Sequence, residues 1–235
     1  MGTPPVFDRW IWLKRYLQPG PLRTLDAGCG SGAFTMYASK IGNTAVGLSF
    51  DDRNTQIART RARMLEIGRV DFIQWDLRQL DQKRGELGTY DQIICLETIE
   101  HIINDQKLVR DLSTLLKPGG KLLLTTPYKH YRHLFGETRL SSTEDGGHVR
   151  WGYTHEEMRH LLKTHGLEVV REDYISGFIS QQLTNLMRFL SRLNSNFGWL
   201  VVFPLRIVQL VDVPVTRWLH YPFLCIGVVA VKQTS

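Results

Sequence analysis

Cysteine is scarce in this chain of 235 residues. Cys29, Cys95 and Cys225 form an odd set with no C-x-x-C spacing. That argues against a disulfide-stapled scaffold or a zinc ribbon and suits a reducing compartment. No charged-then-apolar leader opens the sequence, and a cytoplasmic location is the expectation. No run of about 18 uninterrupted apolar residues occurs, so no membrane-spanning helix is expected. There is no long Lys/Arg block of the kind that forms a nucleic-acid arm. Arg59, Arg61, Arg63 and Arg69 read instead as one solvated helix face. What remains is an ordinary globular composition with a net charge of +6. The charge permits an anionic partner, such as nucleic acid or a lipid headgroup, without requiring one.

Strand and helix signals alternate after residue 20. Strand-like runs fall at 23–26, 44–49, 70–74, 90–96, 121–126, 167–172 and 223–231. Helix-like stretches, including 53–67 and 106–116, separate the early ones. Such alternation implies a mostly parallel sheet covered by helices on both faces. Lys117-Pro118-Gly119-Gly120 stops one helix and turns the chain into the next strand. The length fits a single α/β domain over 1–235. Two segments stand outside the alternation. Residues 1–20 contain a short helical cap (6–17) with Phe7, Trp10, Ile11, Leu13 and Leu17 apolar. Residues 176–221 form a helical insertion before the last strand.

The run Leu25-Asp26-Ala27-Gly28-Cys29-Gly30-Ser31-Gly32-Ala33-Phe34 carries the clearest chemistry. It is a short strand, an acid near its end, three glycines at alternate positions and a helix start. Glycine admits a sharp turn and the close approach of a ligand. The following helix offers free N–H groups and a positive dipole end to an anionic group. This run resembles the first motif of class I S-adenosylmethionine-dependent methyltransferases, acid-x-G-x-G-x-G. The resemblance extends over most of residues 20–175. It implies a Rossmann-like α/β fold with a seven-stranded, mostly parallel sheet. It implies S-adenosylmethionine as cofactor, held by Asp26, Ala27, Gly28, Cys29, Gly30 and Gly32, with Leu96 beside them at the end of the fourth strand. The ribose hydroxyls would meet Ser49, Phe50 or Asp51. The family usually has an acid where this chain has Ser49, with Asp51 as the substitute from the loop. Asp76 would accept from the adenine amino group while the Leu77 N–H reaches a ring nitrogen.

Cys95-Leu96-Glu97-Thr98-Ile99-Glu100-His101 ends the fourth strand. Spacing of i, i+3 and i+4 would gather Glu97, Glu100 and His101 on one side of a helical turn. Two carboxylates and an imidazole suit Mg²⁺, Mn²⁺ or Zn²⁺. The E-x-x-E-H pattern is similar to that of ubiquinone-pathway O-methyltransferases and of small-RNA 2′-O-methyltransferases. That similarity implies a divalent metal gripping the hydroxyls to be methylated, with His148 as a later, fourth ligand. Other class I methyltransferases carry E-H here without metal, and His101 is then the candidate general base. Thr154-x-x-Glu157 reads as a capping box opening a helix over 156–165. Tyr128, His130 and Tyr131 follow the fifth strand, where open α/β sheets bind ligands, and are substrate candidates together with His148.

In the insertion, Leu183, Leu186, Met187, Leu190 and Leu193 share a helical face, and 197–211 is nearly all apolar. Pro204 and Arg206 interrupt that run, which reads as too short and broken to cross a bilayer. A lid over a small, apolar or lipid-like acceptor, an oligomer interface, or a peripheral membrane contact all fit. O-methylation of such an acceptor is the leading expectation. A metal-dependent RNA enzyme and a non-catalytic scaffold are the alternatives. The absence of a long basic or aromatic-rich surface and the greasy insertion count against RNA.

Overall fold

The computed structural model describes residues 3–135 and 140–234. Helix α1 (Pro4–Tyr16) starts on two prolines, which cost nothing where the first N–H groups lack helical partners anyway. Its Trp12 Nε1 and Tyr16 hydroxyl both donate to Asp173, at 3.0 and 2.7 Å, tying it to the sheet.

The sheet follows: β1 (Arg23–Ala27), β2 (Thr44–Ser49), β3 (Val70–Gln74), β4 (Tyr90–Leu96), β5 (Leu116–Pro127), β6 (Leu167–Ile175) and β7 (Cys225–Lys232). Their spatial order is β3-β2-β1-β4-β5-β7-β6. β7 runs antiparallel to both neighbours and the other described pairs are parallel. The chain order reverses between β1 and β4, which opens a crevice at their carboxyl ends. Helices α2 (Ala33–Lys40), α3 (Asp52–Met64), α4 (Arg84–Leu87), α5 (Asp105–Leu115) and α6 (His155–Thr164) cover the two faces. Successive strand residues point to opposite faces. Ile93, Leu122 and Val228 therefore join one buried cluster, while Ile94, Leu123 and Val229 join the other. Such near-continuous apolar strands are what a sheet buried on both sides requires.

Lys117-Pro118-Gly119-Gly120 belongs to β5 rather than to a separate turn. Leu116 already pairs with Tyr90, and the register slips before Gln92–Lys121. The extra residues form an irregularity at the start of the strand. The capping box at α6 forms as expected, with Thr154 Oγ1 accepting from Glu157 N and the Glu157 carboxylate from Thr154 N.

Between β6 and β7 lie α7 (Phe178–Ser191), α8 (Ser195–Leu205), a 3-10 stretch (Arg206–Val211) and α9 (Asp212–Trp218). Helical structure runs without a gap over Asn196–Trp218, 23 predominantly apolar residues. The sequence expectation of a short, broken segment is corrected here. By length and composition this helix suffices to cross a membrane. Pro204 lacks an N–H for the helical ladder, and the tighter 3-10 turn that follows keeps the chain helical past it.

Candidate active site

The glycine turn sits at the carboxyl end of β1. Gly28 (φ +93°) and Gly30 (φ +50°) occupy the left-handed region that side chains disfavour. A Cβ on Gly28 would run into the Thr98 side chain, whereas one on Gly30 would point into open space. Gly28 is therefore a packing necessity, and Gly30 keeps the approach to the turn clear. Beneath the turn, Asp26 is 2% exposed and accepts from Thr35 Oγ1 at 2.7 Å. Burial pushes its carboxyl up to about 7. Ala27 and Leu96 are core residues, and Cys29 is almost fully buried. Gly32 is the N-cap residue of α2.

Beside the turn a cleft of 150 Å³ is walled by Gly28, Phe50, Asp76, Leu77, Thr98 and His101, among others. Gly28, Phe50, Asp76 and Leu77 were expected there. Asp51 is not in that wall: it caps α3, accepting from Arg53 N at 2.9 Å. Ser49 is buried, its hydroxyl 3.4 Å from the Asp51 carbonyl. Arg78, Glu144 and Thr98 escaped the sequence reading. Arg78 grips the Asp76 carboxylate with contacts of 2.6–2.9 Å and reaches Glu144 at 3.0 Å. The Arg78 guanidinium also lies over the Phe50 ring at 5.5 Å. The Arg78 side chain holds Asp76 below the usual carboxylate range. Adjacency to Asp76 was the only sequence signal for Arg78, and Glu144 had none.

On the other side of His101 lies a second cavity, of 220 Å³. Glu97, Glu100, His101, Tyr131, His148 and Cys225 face it from the sheet side. Thr3, Pro5 and Arg9 from the N-terminal helix region, and Thr184 and Arg188 from α7, close it over. His101 borders both spaces.

The acids and histidines converge by a route other than a helical turn, which corrects the i, i+3, i+4 expectation. Only Ile99–His101 forms a 3-10 turn, and Glu97 stands before it with φ +50°. Glu97 accepts from Arg9 at 2.8 Å, Thr125 Oγ1 at 2.9 Å and Cys225 Sγ at 3.5 Å. Arg9 was not foreseen, because nothing links a helix near the N-terminus to β4 in sequence. Glu100 is fully buried. Its Oε2 accepts from Thr126 at 3.2 Å, while Oε1 has no hydrogen-bond partner among the described residues. Burial and then the Glu97 charge push the Glu100 carboxyl well above the usual range. His101 Nδ1 lies 3.0 Å from the Gly147 carbonyl, which can only accept. Nδ1 therefore carries the proton, and Nε2 turns its lone pair toward Glu100 Oε1, 3.9 Å away.

His148 reaches the site because the Val149 N–H donates to the Glu100 carbonyl at 2.9 Å. Arg150 adds bonds of 2.7 Å to the Ile102 and Ile103 carbonyls. The His148 ring meets His101 edge-on at 4.8 Å. Ligand atoms of Glu100, His101 and His148 all lie within 4.8 Å of one another. Glu97 stands outside that trio, its carboxylate taken up by Arg9. Two substrate candidates are corrected. His130 is exposed, and Tyr128 packs edge-on against Tyr174 at 5.4 Å, so neither lines the cavity. Tyr131 and His148 do.

A seven-stranded sheet with β7 antiparallel between β5 and β6, and a glycine turn with a cleft beside it at the switch point, matches the class I S-adenosylmethionine-dependent methyltransferase architecture. The chain belongs to the methyltransferase domain family, whose model matches residues 10–172. It is 28% identical over 196 residues to the ubiquinone biosynthesis O-methyltransferase of Xanthomonas axonopodis pv. citri, covering 80% of this chain and 79% of the relative. The Vibrio parahaemolyticus protein of the same name is 31% identical over 132 residues, 54% of either chain. Among solved structures, the magnesium protoporphyrin IX methyltransferase of Synechocystis PCC 6803 with bound S-adenosylmethionine superposes with a TM-score of 0.57. It is 17% identical, and the match covers 98% of this chain and 78% of that one. The [4+2]-cyclase SpnF superposes at 0.66 with 20% identity, covering 97% and 81%. The protein is an S-adenosylmethionine-dependent methyltransferase.

Proposed function

We propose that this enzyme moves a methyl group from S-adenosylmethionine to an oxygen of a small, largely apolar or lipid-like acceptor. The observation that carries the reading is the position of His101 on the wall shared by the two cavities. The sulfonium already activates the methyl, so the protein must align nucleophile, methyl and sulfur and keep water out. His101 lines the acceptor cavity beside Glu100, and its Nε2, not engaged by the Gly147 carbonyl, is placed to take the acceptor's proton. The ring is fixed by its bond to the Gly147 carbonyl, so its orientation is set before the acceptor arrives. The roof of α1 and α7 encloses 220 Å³, a volume suited to a small ring system rather than a polynucleotide strand. The O-methyltransferase names of the curated relatives support oxygen as the acceptor atom.

Glu100, His101 and His148 also fit a divalent cation such as Mg²⁺, Mn²⁺ or Zn²⁺, because Glu100 Oε1, without a partner among the described residues, lies with both imidazoles within 4.8 Å. His101 Nε2 would then hold the ion, and the ion in place of His101 would promote loss of the acceptor's proton. Such an ion would hold acceptor oxygens as anions. Arg9 and Glu97 then fix the far wall, their charges cancelling so that neither is left bare in a mostly enclosed space.

The test is transfer from S-adenosylmethionine with a ¹³C-labelled methyl to a panel of catechols, phenols, carboxylic acids and amines bearing apolar tails. A labelled methoxy product is expected. A labelled N-methyl product, or no transfer to any oxygen acceptor with intact cofactor binding, overturns the reading.

A further inference from the structure

Residues 196–218 wear their polarity inside out. The buried positions of this helical run are Gly198, Val202, Arg206, Gln209, Asp212 and Thr216, spaced along one stripe. From Arg206 onward every member of that stripe is polar. The outer face carries Leu200 (67% exposed), Ile207 (71%), Leu210 (64%) and Trp218 (77%), with Leu193 (79%) and Phe189 (57%) of α7 beside them. A helix on a water-soluble surface shows the opposite pattern. Contiguous apolar exposure of this extent marks a surface that meets something else.

We propose that this face docks the protein onto an anionic lipid bilayer, lying in the plane of the membrane rather than crossing it. Charge names the occupant. From residue 176 to 221 the chain has four arginines (Arg188, Arg192, Arg206 and Arg217) and a single acid, Asp212, which is buried. A two-fold contact with a second copy would set arginines near arginines with no exposed carboxylate of the segment to meet them. Phosphate headgroups supply anionic charge to the exposed Arg192 and Arg217, and Trp199 and Trp218 suit the headgroup boundary.

Hydrogen bonding on the inner stripe decides between lying and crossing. Asp212 accepts from the N–H groups of Gly177, Ile179 and Ser180 at 2.7, 2.8 and 3.2 Å, which caps α7. Thr216 Oγ1 accepts from Phe178 N at 2.7 Å. Gln209 Nε2 reaches the Pro4 carbonyl, Asp8 and Ser180 Oγ at 3.1, 2.9 and 2.8 Å. Passage across the bilayer would break all of these and leave Arg206 and Asp212 in hydrocarbon. In the plane, every one of them survives while the outer residues leave water. The docking rests on this surface alone. Delivery of a lipid-like acceptor past α7, which gives Thr184 and Arg188 to the acceptor cavity, rests on the function proposed above.

The test is co-sedimentation of the full chain with vesicles of phosphatidylglycerol and phosphatidylcholine, against vesicles of phosphatidylcholine alone. Binding about 30-fold tighter to the anionic vesicles is expected if the two exposed arginines, Arg192 and Arg217, contribute at typical strength. The Leu200→Gln/Ile207→Gln/Leu210→Gln variant changes exposed positions only. It should lose vesicle binding while keeping its melting temperature and S-adenosylmethionine affinity. Equal binding by this variant, or no vesicle binding by the parent chain, overturns the proposal. So does a parent chain that instead forms a concentration-dependent dimer the variant lacks. Resistance of bound protein to alkaline carbonate extraction overturns the in-plane arrangement.

Discussion

The two halves of the proposed site, one for cofactor and one for acceptor, are built by different means. The cofactor turn is local: Asp26 to Thr35 spans ten consecutive positions, and Phe50 and Asp76 follow at the ends of the next two strands. The acceptor cavity is assembled from distant pieces. Arg9, Glu97, His148, Thr184 and Cys225 come from five places along the chain. A local turn is fixed by backbone geometry and tolerates change elsewhere. An assembled cavity depends on how α1, the 140–150 loop and α7 pack, so one substitution there disturbs binding, charge balance and stability together.

The sharpest break of the cofactor half is Gly30→Val. Its side chain would enter the space a ligand needs, and a β-branched residue at φ +50° carries strain. S-adenosylmethionine binding by calorimetry should fall beyond detection. The strain itself costs about 1–3 kcal/mol, so the far-ultraviolet circular dichroism of the sheet should persist. His101→Gln separates the halves. Turnover should drop about 10²–10⁴-fold, the usual worth of a positioned base, while S-adenosylmethionine affinity changes little. An equal loss in both would place His101 in cofactor binding only.

Arg9→Ala tests the assembled half. It strands Glu97 beside the buried Glu100, with Arg9 and Glu97 side chains only 13% and 20% exposed. Unfolding in urea should show a loss of about 2–4 kcal/mol, near the range for one member of a mostly buried pair. Acceptor turnover should fall while cofactor affinity holds, which a general loss of folding would not produce.

The smallest effect concerns pH. Asp8, which joins α1 to Ser176 and Gln209, and Asp26 are both pushed up to about 7 by burial, against 3.8 when unperturbed. A raised folded-state pKa means the folded protein holds protons the unfolded chain releases. The stability these two groups contribute is fully present below about 4 and is lost as pH rises through about 7. Melting temperature should therefore decline between pH 5 and 8, and Asp8→Asn should flatten that decline. An unchanged slope in Asp8→Asn would remove Asp8 from the effect and leave Asp26.

What was legible beforehand follows the same division. The glycine spacing marked the turn because only glycine serves where φ is positive and a Cβ would strike Thr98. The mostly parallel sheet covered by helices followed from alternation, since each apolar run had to be buried on both faces, whereas the strand order β3-β2-β1-β4-β5-β7-β6 emerged only in the fold. The acids and histidine of the E-x-x-E-H run all border one cavity, but by a different local geometry from the one expected, because β4 ends in a left-handed Glu97 and a 3-10 turn rather than an α-helix. Tyr128 and His130 looked like substrate residues from position alone. Packing against Tyr174 turns Tyr128 away.

By itself, then, the sequence determined the sheet, the glycine turn and the acid–histidine run, since these depend on backbone conformation and on residues close in the chain. Tertiary structure alone decided that Arg9 meets Glu97, that Arg78 holds Asp76 against Glu144, and which face of 196–218 points outward. Arg9 and Glu97, and Arg78 and Glu144, lie far apart in sequence, and their charges, like the apolar face of 196–218, acquire their settings only once the helices pack.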